Sequence, residues 1–427
     1  MLKFLPIILA IILSLFNIQF QNEKNLPLAN LETLESPHKN VGTNLASANV
    51  NLQGENNILG MQNVTNTVRL TWNAVPGAIR YRISYGDEII LSPTTGVEME
   101  VNGADEFFKI TALDMDNIVV REDVPIASTE INPKSPRTTS EFDLMSSPPL
   151  YLVYSWIPTK GADHYEIRLW HDGVVERNFV TKFDSIEESY TFYDDEPVID
   201  EGEYFYQVRG FSAADVAITD WSEKNPTNTF IVTKPTRFAA LGDSITHGGA
   251  VTVPPSQILC NWETYCSFHV KNLGHSGDTT AQILERFNRD VLPFQPEILF
   301  VMAGVNDFRT GIIGAQSIRN LTAIRELCET NGIMPVFITP TPINPDKIFK
   351  AKTVEAPPSD WRYERGRICD WVRSQKYFID IADAVTDDEG NLKAYLTTDG
   401  LHPDSEGKEI IGKAVENWLD NYFKSTH

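Results

Sequence analysis

The sequence predicts a multidomain chain in which two all-β sandwich modules precede a three-layer α/β/α domain with a parallel sheet. Three observations carry this: an internal repeat in the first half, a change of hydrophobic period at Arg237, and a length of 427 residues, too long for one ordinary core. Hydrophobic residues make up 42% of the chain, which suits globular domains and not global disorder. The net charge of -22 is spread along the sequence, so it favours solubility and argues against nucleic acid as a partner.

Residues 1–20 read as a signal peptide. Lys3 precedes an apolar run from Phe4 to Phe16, and Asn17, Gln19, Gln21 and Asn22 then turn the chain polar. The run is short for a bilayer crossing. An uncleaved anchor is the alternative, because no clean Ala-x-Ala cleavage site follows, and only in that case would the chain meet a membrane. The expected location is secreted or cell surface. Residues 21–58 show no sustained period and read as a linker.

The repeat comes next. Trp72, Gly77, Ala78, Tyr81 and Ile83 recur at a constant offset as Trp156, Gly161, Ala162, Tyr165 and Ile167. Alternating strand patterns surround them, as in Val68-Leu70-Trp72, Tyr165-Ile167-Leu169 and Tyr204-Tyr206-Val208. This spacing predicts one antiparallel sandwich over residues 59–132 and another over 146–233, parted by a Pro- and Ser-rich stretch. The repeat resembles fibronectin type III domains. That resemblance implies the Trp of one strand packing beside the Tyr of the next, and a role as spacer or surface-binding unit. Trp170 and Trp221 are read as half-buried strand residues, with sugar stacking as the alternative.

From residue 236 to 427 strands alternate with helices. Phe238–Leu241, Phe268–Leu273, Ile298–Ala303, Pro335–Thr339 and Tyr377–Ile381 have the continuous apolar character of buried parallel strands. Ile283, Leu284, Phe287 and Val291 share one helix face, and Ile318, Leu321, Ile324 and Leu327 share another, with Gly332 as its stop. A last helix starts near Ser405, a good N-cap, and turns Ile410, Ile411, Val415, Trp418 and Leu419 inward.

Four islands fall on this last domain: Gly242-Asp243-Ser244, Gly274-His275-Ser276-Gly277-Asp278, Gly304-Val305-Asn306-Asp307 and Asp399-Gly400-Leu401-His402. A serine hydroxyl needs an adjacent base to attack an acyl carbon, and His402 can be that base, with Asp399 fixing its tautomer. Ser244 follows the first strand, Gly277 the second and Asn306 the third, and chemically useful positions at three successive strand ends are what one site beyond the carboxyl edge of an open sheet requires. The ordered set resembles the SGNH (GDSL) family of serine hydrolases, and the resemblance covers the chain from about Thr236 onward. It implies an esterase with Ser244, Asp399 and His402 as catalytic residues and no cofactor. It also implies an oxyanion hole made by the backbone N–H groups of Ser244 and Gly277 and the side-chain amide of Asn306. Asp243 and Asp307 are read as structural.

Three further readings accompany it. Ser276 sits in a near match to the G-x-S-x-G nucleophile elbow, with Asp278 in place of the last glycine, but that reading leaves two islands unexplained. His275, His247 and His269 are not assembled with carboxylates at metal-ligand spacing, so no metal is expected. Export makes Cys260–Cys266 and Cys328–Cys369 the favoured disulfides, with four buried thiols as the alternative.

The expected substrate is a short acyl ester, acetyl first, on a carbohydrate or another small alcohol. Trp262, Trp361 and Tyr363 are the expected substrate contacts, the last two within the long segment from Pro342 to Arg365. Two alternatives remain: a lipid-acting esterase or thioesterase of the same fold, and a surface-binding protein with an inert hydrolase domain. If the modules bind polysaccharide, deleting residues before Pro235 should reduce activity on insoluble glycans but spare soluble esters.

Overall fold

The computed structural model describes residues 50–51, 66–101, 105–114, 116–182, 191–251, 253–352 and 354–426. The expected signal peptide and nearly all of the expected linker lie outside these residues.

The first module pairs two antiparallel sheets. Strands β1 (Asn66–Trp72), β4 (Gly96–Val101) and β7 (Ile126–Ile131) form one, in the order β4-β1-β7. Strands β2 (Arg80–Tyr85), β3 (Glu88–Ser92), β5 (Phe108–Leu113) and β6 (Val119–Arg121) form the other, in the order β3-β2-β5-β6. Its core, which includes Val68, Leu70, Trp72, Ile83 and Ile110, is closed on itself.

The second module contains β8 (Tyr151–Ser155), β9 (His164–His171), β10 (Val174–Lys182), β11 (Thr191–Pro197), β12 (Gly202–Phe211) and β13 (Thr229–Val232), paired as β8-β11 and β10-β9-β12-β13. The repeat is a packing unit. Trp72 and Tyr81 rings lie 5.2 Å apart, Trp156 and Tyr165 rings 5.1 Å. In each copy the tyrosine hydroxyl accepts a backbone N–H from the preceding loop, Val75 at 2.9 Å and Thr159 at 2.8 Å. Trp170 stacks half-buried on Phe205, and Trp221 lies half-buried under the Arg168 guanidinium.

The second module has no core of its own. Leu150, Tyr154, Trp156 and Tyr206 belong to one continuous cluster with Phe238, Leu273 and Val301 of the last domain. The cause is β8, in which all five residues are buried. A strand buried on both faces needs a cover on each side, and here the last domain supplies one. Leu150 N–H donates to the Asn272 carbonyl at 2.9 Å, and the Ser155 and Ser256 hydroxyls meet at 2.9 Å. The Pro- and Ser-rich stretch is packed as well: Phe142 is buried, and Thr139 N–H donates to the Ser155 carbonyl.

In the last domain β14 (Phe238–Gly242), β15 (Lys271–Gly274), β16 (Ile298–Met302), β17 (Met334–Ile338) and β18 (Phe378–Ile379) form a parallel sheet in the order β15-β14-β16-β17-β18. β15 starts later than the expected run because Phe268 packs on Phe238 and Val270 N–H donates to Ser146, tying that stretch to the second module. The helices are α1 (Ser244–His247), α2 (Thr280–Asp290), α3 (Val305–Arg309), α4 (Gly314–Thr330), α5 (Pro345–Ala351), α6 (Trp361–Arg373), α7 (Ala382–Val385) and α8 (Ser405–Thr426). α4 packs between α2 and α6, while α8 packs on the segment around Trp262 and on β18. The strand order reverses beside β14, and in open α/β sheets that reversal marks where ligands bind beyond the carboxyl ends of the strands.

Candidate active site

Ser244 stands where β14 turns sharply into α1. Gly242 ends the strand, and a Cβ there would lie 2.4 Å from Thr246 Oγ1 and 2.5 Å from the Met302 carbonyl, so no side chain fits. Asp243 caps α1 by accepting the Ile245 N–H at 3.0 Å. The serine therefore opens the helix at the carboxyl edge of the sheet. Burial pushes the Asp243 carboxyl up to about 7.

Asp399 and His402 sit in the tight loop before α8. Gly400 makes that loop possible: its φ is +84°, and a Cβ would lie 2.4 Å from the Asn344 carbonyl. His402 Nδ1 lies 2.6 Å from Asp399 Oδ2, and His402 Nε2 lies 3.0 Å from Ser244 Oγ. The other Asp399 oxygen accepts the N–H groups of Leu401 and His402, both at 2.8 Å. Burial alone would raise the Asp399 carboxyl, but the charge and ring N–H of His402 and the two backbone donors outweigh it and hold it below its ordinary value. A carboxylate at Nδ1 assigns that proton and leaves the Nε2 lone pair for the serine hydroxyl.

Gly277 is the third residue of a turn closed by Asp278 N–H and the His275 carbonyl, with φ +86°, the value a type II turn demands there. It is exposed, and a Cβ would meet nothing within 4 Å, so the backbone conformation, more than space, selects glycine. Asn306 opens α3 after β16 and is buried. Its Nδ2 donates to the Asp278 carbonyl at 3.0 Å, which leaves its second amide hydrogen free for a ligand. Asp307 accepts from Thr280 N–H at 2.8 Å and Ser317 Oγ at 2.8 Å, the structural role expected of it.

Several residues at the site were not singled out from the sequence. Arg309 donates to Asn306 Oδ1 at 3.2 Å, fixing which end of that amide is the donor. Arg286 is buried and ties four groups together: Asp278 Oδ2 at 2.6 Å, the Leu273 carbonyl at 2.8 Å, the Gly242 carbonyl at 2.9 Å and Asp290 Oδ2 at 3.1 Å. Lys408, fully buried, donates to the Ile245 carbonyl at 2.7 Å, and burial holds its amine below the usual range. A signal existed. Arg286 and Asp290 interrupt the Ile283–Phe287–Val291 stripe, and Lys408 precedes Ile411 and Val415 on the inward face of α8.

Two expected substrate contacts are corrected. Trp262 is fully buried, beneath α8, and Trp361 is 2% exposed, stacked on Phe308 of α3. Both fill the core because α8 and α3 need large apolar partners there, and neither offers exposed ring surface for a substrate to contact. Tyr363 is 66% exposed on α6. The expected disulfides are corrected too: Cys260, Cys266, Cys328 and Cys369 are all free. Cys266 Sγ turns toward α8 and donates to the Gly412 carbonyl at 3.4 Å. Burial pushes the Cys260 and Cys328 thiols up to about 12. Among the described residues no group of His, Cys, Asp and Glu is arranged to hold a metal ion.

A serine, a histidine and an aspartate in hydrogen-bonded sequence at the carboxyl edge of a parallel sheet place the domain among three-layer α/β/α hydrolases. Residues 240–410 match the GDSL-like Lipase/Acylhydrolase family, so this stretch of the chain is a GDSL-like lipase/acylhydrolase domain, of the ester hydrolase class. Solved structures similar to this region include a GDSL-like lipase from Bacteroides thetaiotaomicron, with 22% identity, covering 44% of this chain and 88% of that one, TM-score 0.36. Another is a lipase/acylhydrolase from Enterococcus faecalis, with 24% identity, 44% and 96% coverage and TM-score 0.36. A third is an acetylxylan esterase from Geobacillus stearothermophilus, with 17% identity, 44% and 95% coverage and TM-score 0.32. No protein with a curated description matches the chain.

Proposed function

We propose that this protein is an exported serine esterase that removes short acyl groups, acetyl first, from a carbohydrate. The observation that carries the chemistry is the chain Asp399–His402–Ser244, with successive contacts of 2.6 and 3.0 Å. Ser244 Oγ attacks the ester carbonyl while His402 Nε2 takes its proton. The oxygen that becomes negative meets the N–H groups of Ser244 and Gly277 and the free amide hydrogen of Asn306, and each such donor is worth about 3 kcal/mol. His402 then returns the proton to the departing alcohol. Water, deprotonated by the same nitrogen, releases the acid and restores Ser244. Asp399 stays ionised throughout and steadies the imidazolium.

The carbohydrate reading has its support in α5 and its surroundings. Asn344 N–H donates to the Gly400 carbonyl at 2.7 Å, so this segment lies against the catalytic loop. It carries Phe349 at 78% exposure, and Tyr363 follows it on α6. Exposed aromatic faces stack on sugar rings. Export rests on the sequence of residues 1–20. The test is a series of p-nitrophenyl esters from acetate to palmitate beside an acetylated xylan. The expected result is a kcat/KM that is highest for acetate, with acetate released from the polymer. A kcat/KM that climbs with chain length would assign a lipid substrate instead.

A further inference from the structure

The second Ser–His pair in the domain lies one residue from Gly277. Ser276 Oγ is 2.8 Å from His247 Nδ1, and His247 Nε2 is 2.7 Å from the main-chain carbonyl of Tyr151 in β8. A carbonyl only accepts, so Nε2 carries the proton and Nδ1 accepts from the Ser276 hydroxyl. The pair is turned away from catalysis: His247 is 1% exposed, its second nitrogen faces a carbonyl and not a carboxylate, and burial pushes it down to about 3.

We propose that Ser276 and His247 are positioning residues that aim the Gly277 N–H, and that the second β-module, through the Tyr151 carbonyl, is part of the catalytic unit. The inference rests on the reading of Gly277 as an oxyanion donor. The turn from His275 to Asp278 is held at both ends: His275 N–H donates to the Gly242 carbonyl at 3.1 Å, and His275 Nδ1 lies 2.8 Å from Asp278 Oδ1. Asp278 is fixed by Arg286 at 2.6 Å, and its carbonyl by Asn306 at 3.0 Å. Between those ends, the clamp on the peptide that presents the donor is Ser276 on His247. The module reaches the same turn repeatedly. The Tyr151 ring lies 4.2 Å from that of His275, and its hydroxyl donates to Asp290 Oδ2 at 2.6 Å, the carboxylate that also receives Arg286. Tyr193 of β11 sets its ring edge against His247 at 6.1 Å. No other hydrogen bond among the described residues orients the Ser276 side chain.

The test is Ser276→Ala in the full chain, assayed with p-nitrophenyl acetate and with phenylboronic acid, whose serine adduct is tetrahedral and anionic. Removing an oxyanion donor outright costs 10²–10³ in kcat, so a misaimed one is expected to cost about ten-fold. The boronate should weaken by the same factor, with KM within about two-fold. Ser276→Thr, which keeps the hydroxyl, should recover both. Ser276→Cys keeps the shape and weakens the bond; it should show the same pattern at smaller amplitude, and decides the matter if the alanine variant does not fold. Parent-like kcat, or a fall in kcat with unchanged boronate affinity, would overturn the proposal. Complete loss of turnover would overturn it too, by making Ser276 the nucleophile. A parent chain that neither turns over nor binds the boronate would sink the esterase reading itself, which is a different failure.

Discussion

Asp243 and Asp399 are both buried, and their environments push them in opposite directions. Asp399 has the His402 ring and two backbone donors; Asp243 has one backbone donor and is driven up to about 7 by burial. Asp404, beside the catalytic loop, is also raised to about 7 by burial. A carboxyl whose folded pKa lies above its unfolded value of 3.8 stabilises the fold most when both states are protonated, and loses that contribution as pH rises to the folded pKa. Asp399 acts at the other end, losing its contribution as pH falls below 3.8. The melting temperature is therefore expected to decline between about pH 4 and pH 7. Asp243→Asn, which keeps an acceptor for Ile245, should flatten part of that decline. An unchanged slope in a melting series would show that Asp243 does not titrate there. At this scale the hydrogen-bonded set Ser244, His402 and Asp399 was legible as a juxtaposition because such groups recur in short ordered motifs. Trp262 and Trp361 were misread because an aromatic residue on a loop or helix end carries no mark of which way it faces. Arg286 and Lys408 went unnoticed because a lone cation on an apolar face is a weaker signal than a motif.

Among the elements, β8 explains most of what sequence patterning missed. The alternation of β9 and β12 is the ordinary sign of a sheet with one buried face. β8 buries every residue, a pattern that marks a strand sandwiched between two layers, and no local rule says that the second layer belongs to the next domain. The two equivalent tryptophans report this difference. Trp72 lies in a closed core, whereas Trp156 lies in the cluster that continues into the hydrolase sheet. Truncating a buried tryptophan costs about 3–5 kcal/mol. Trp72→Ala should unfold the first module alone and leave turnover of a small ester near the parent value. Trp156→Ala should lower the melting temperature of the catalytic domain and its activity together. Denaturation followed by activity and by fluorescence in parallel would check this, and equal effects of the two substitutions would refute it.

For the molecule as a whole, the expectation that everything before Pro235 can be removed without loss on soluble esters does not suit the structure. Such a cut strips β8 and β11 from the catalytic domain and exposes the Phe238–Leu273 side of the core. Exposed apolar area of that kind drives unfolding or aggregation. A chain beginning near Pro133 is expected to stay soluble and active, and one beginning at Thr236 is expected to be insoluble or inactive. Full activity of the shorter chain on p-nitrophenyl acetate would contradict the shared core.

The proposed activity depends on one hydroxyl, that of Ser244. The most direct measurement is labelling by a fluorophosphonate probe and hydrolysis of p-nitrophenyl acetate, compared between the full chain and Ser244→Ala. The expected result is one labelled site and measurable turnover in the parent, with loss of the label and a rate at least about 10⁴-fold lower in the variant. A variant that still takes the label and still turns over would place the nucleophile elsewhere and contradict the site described above.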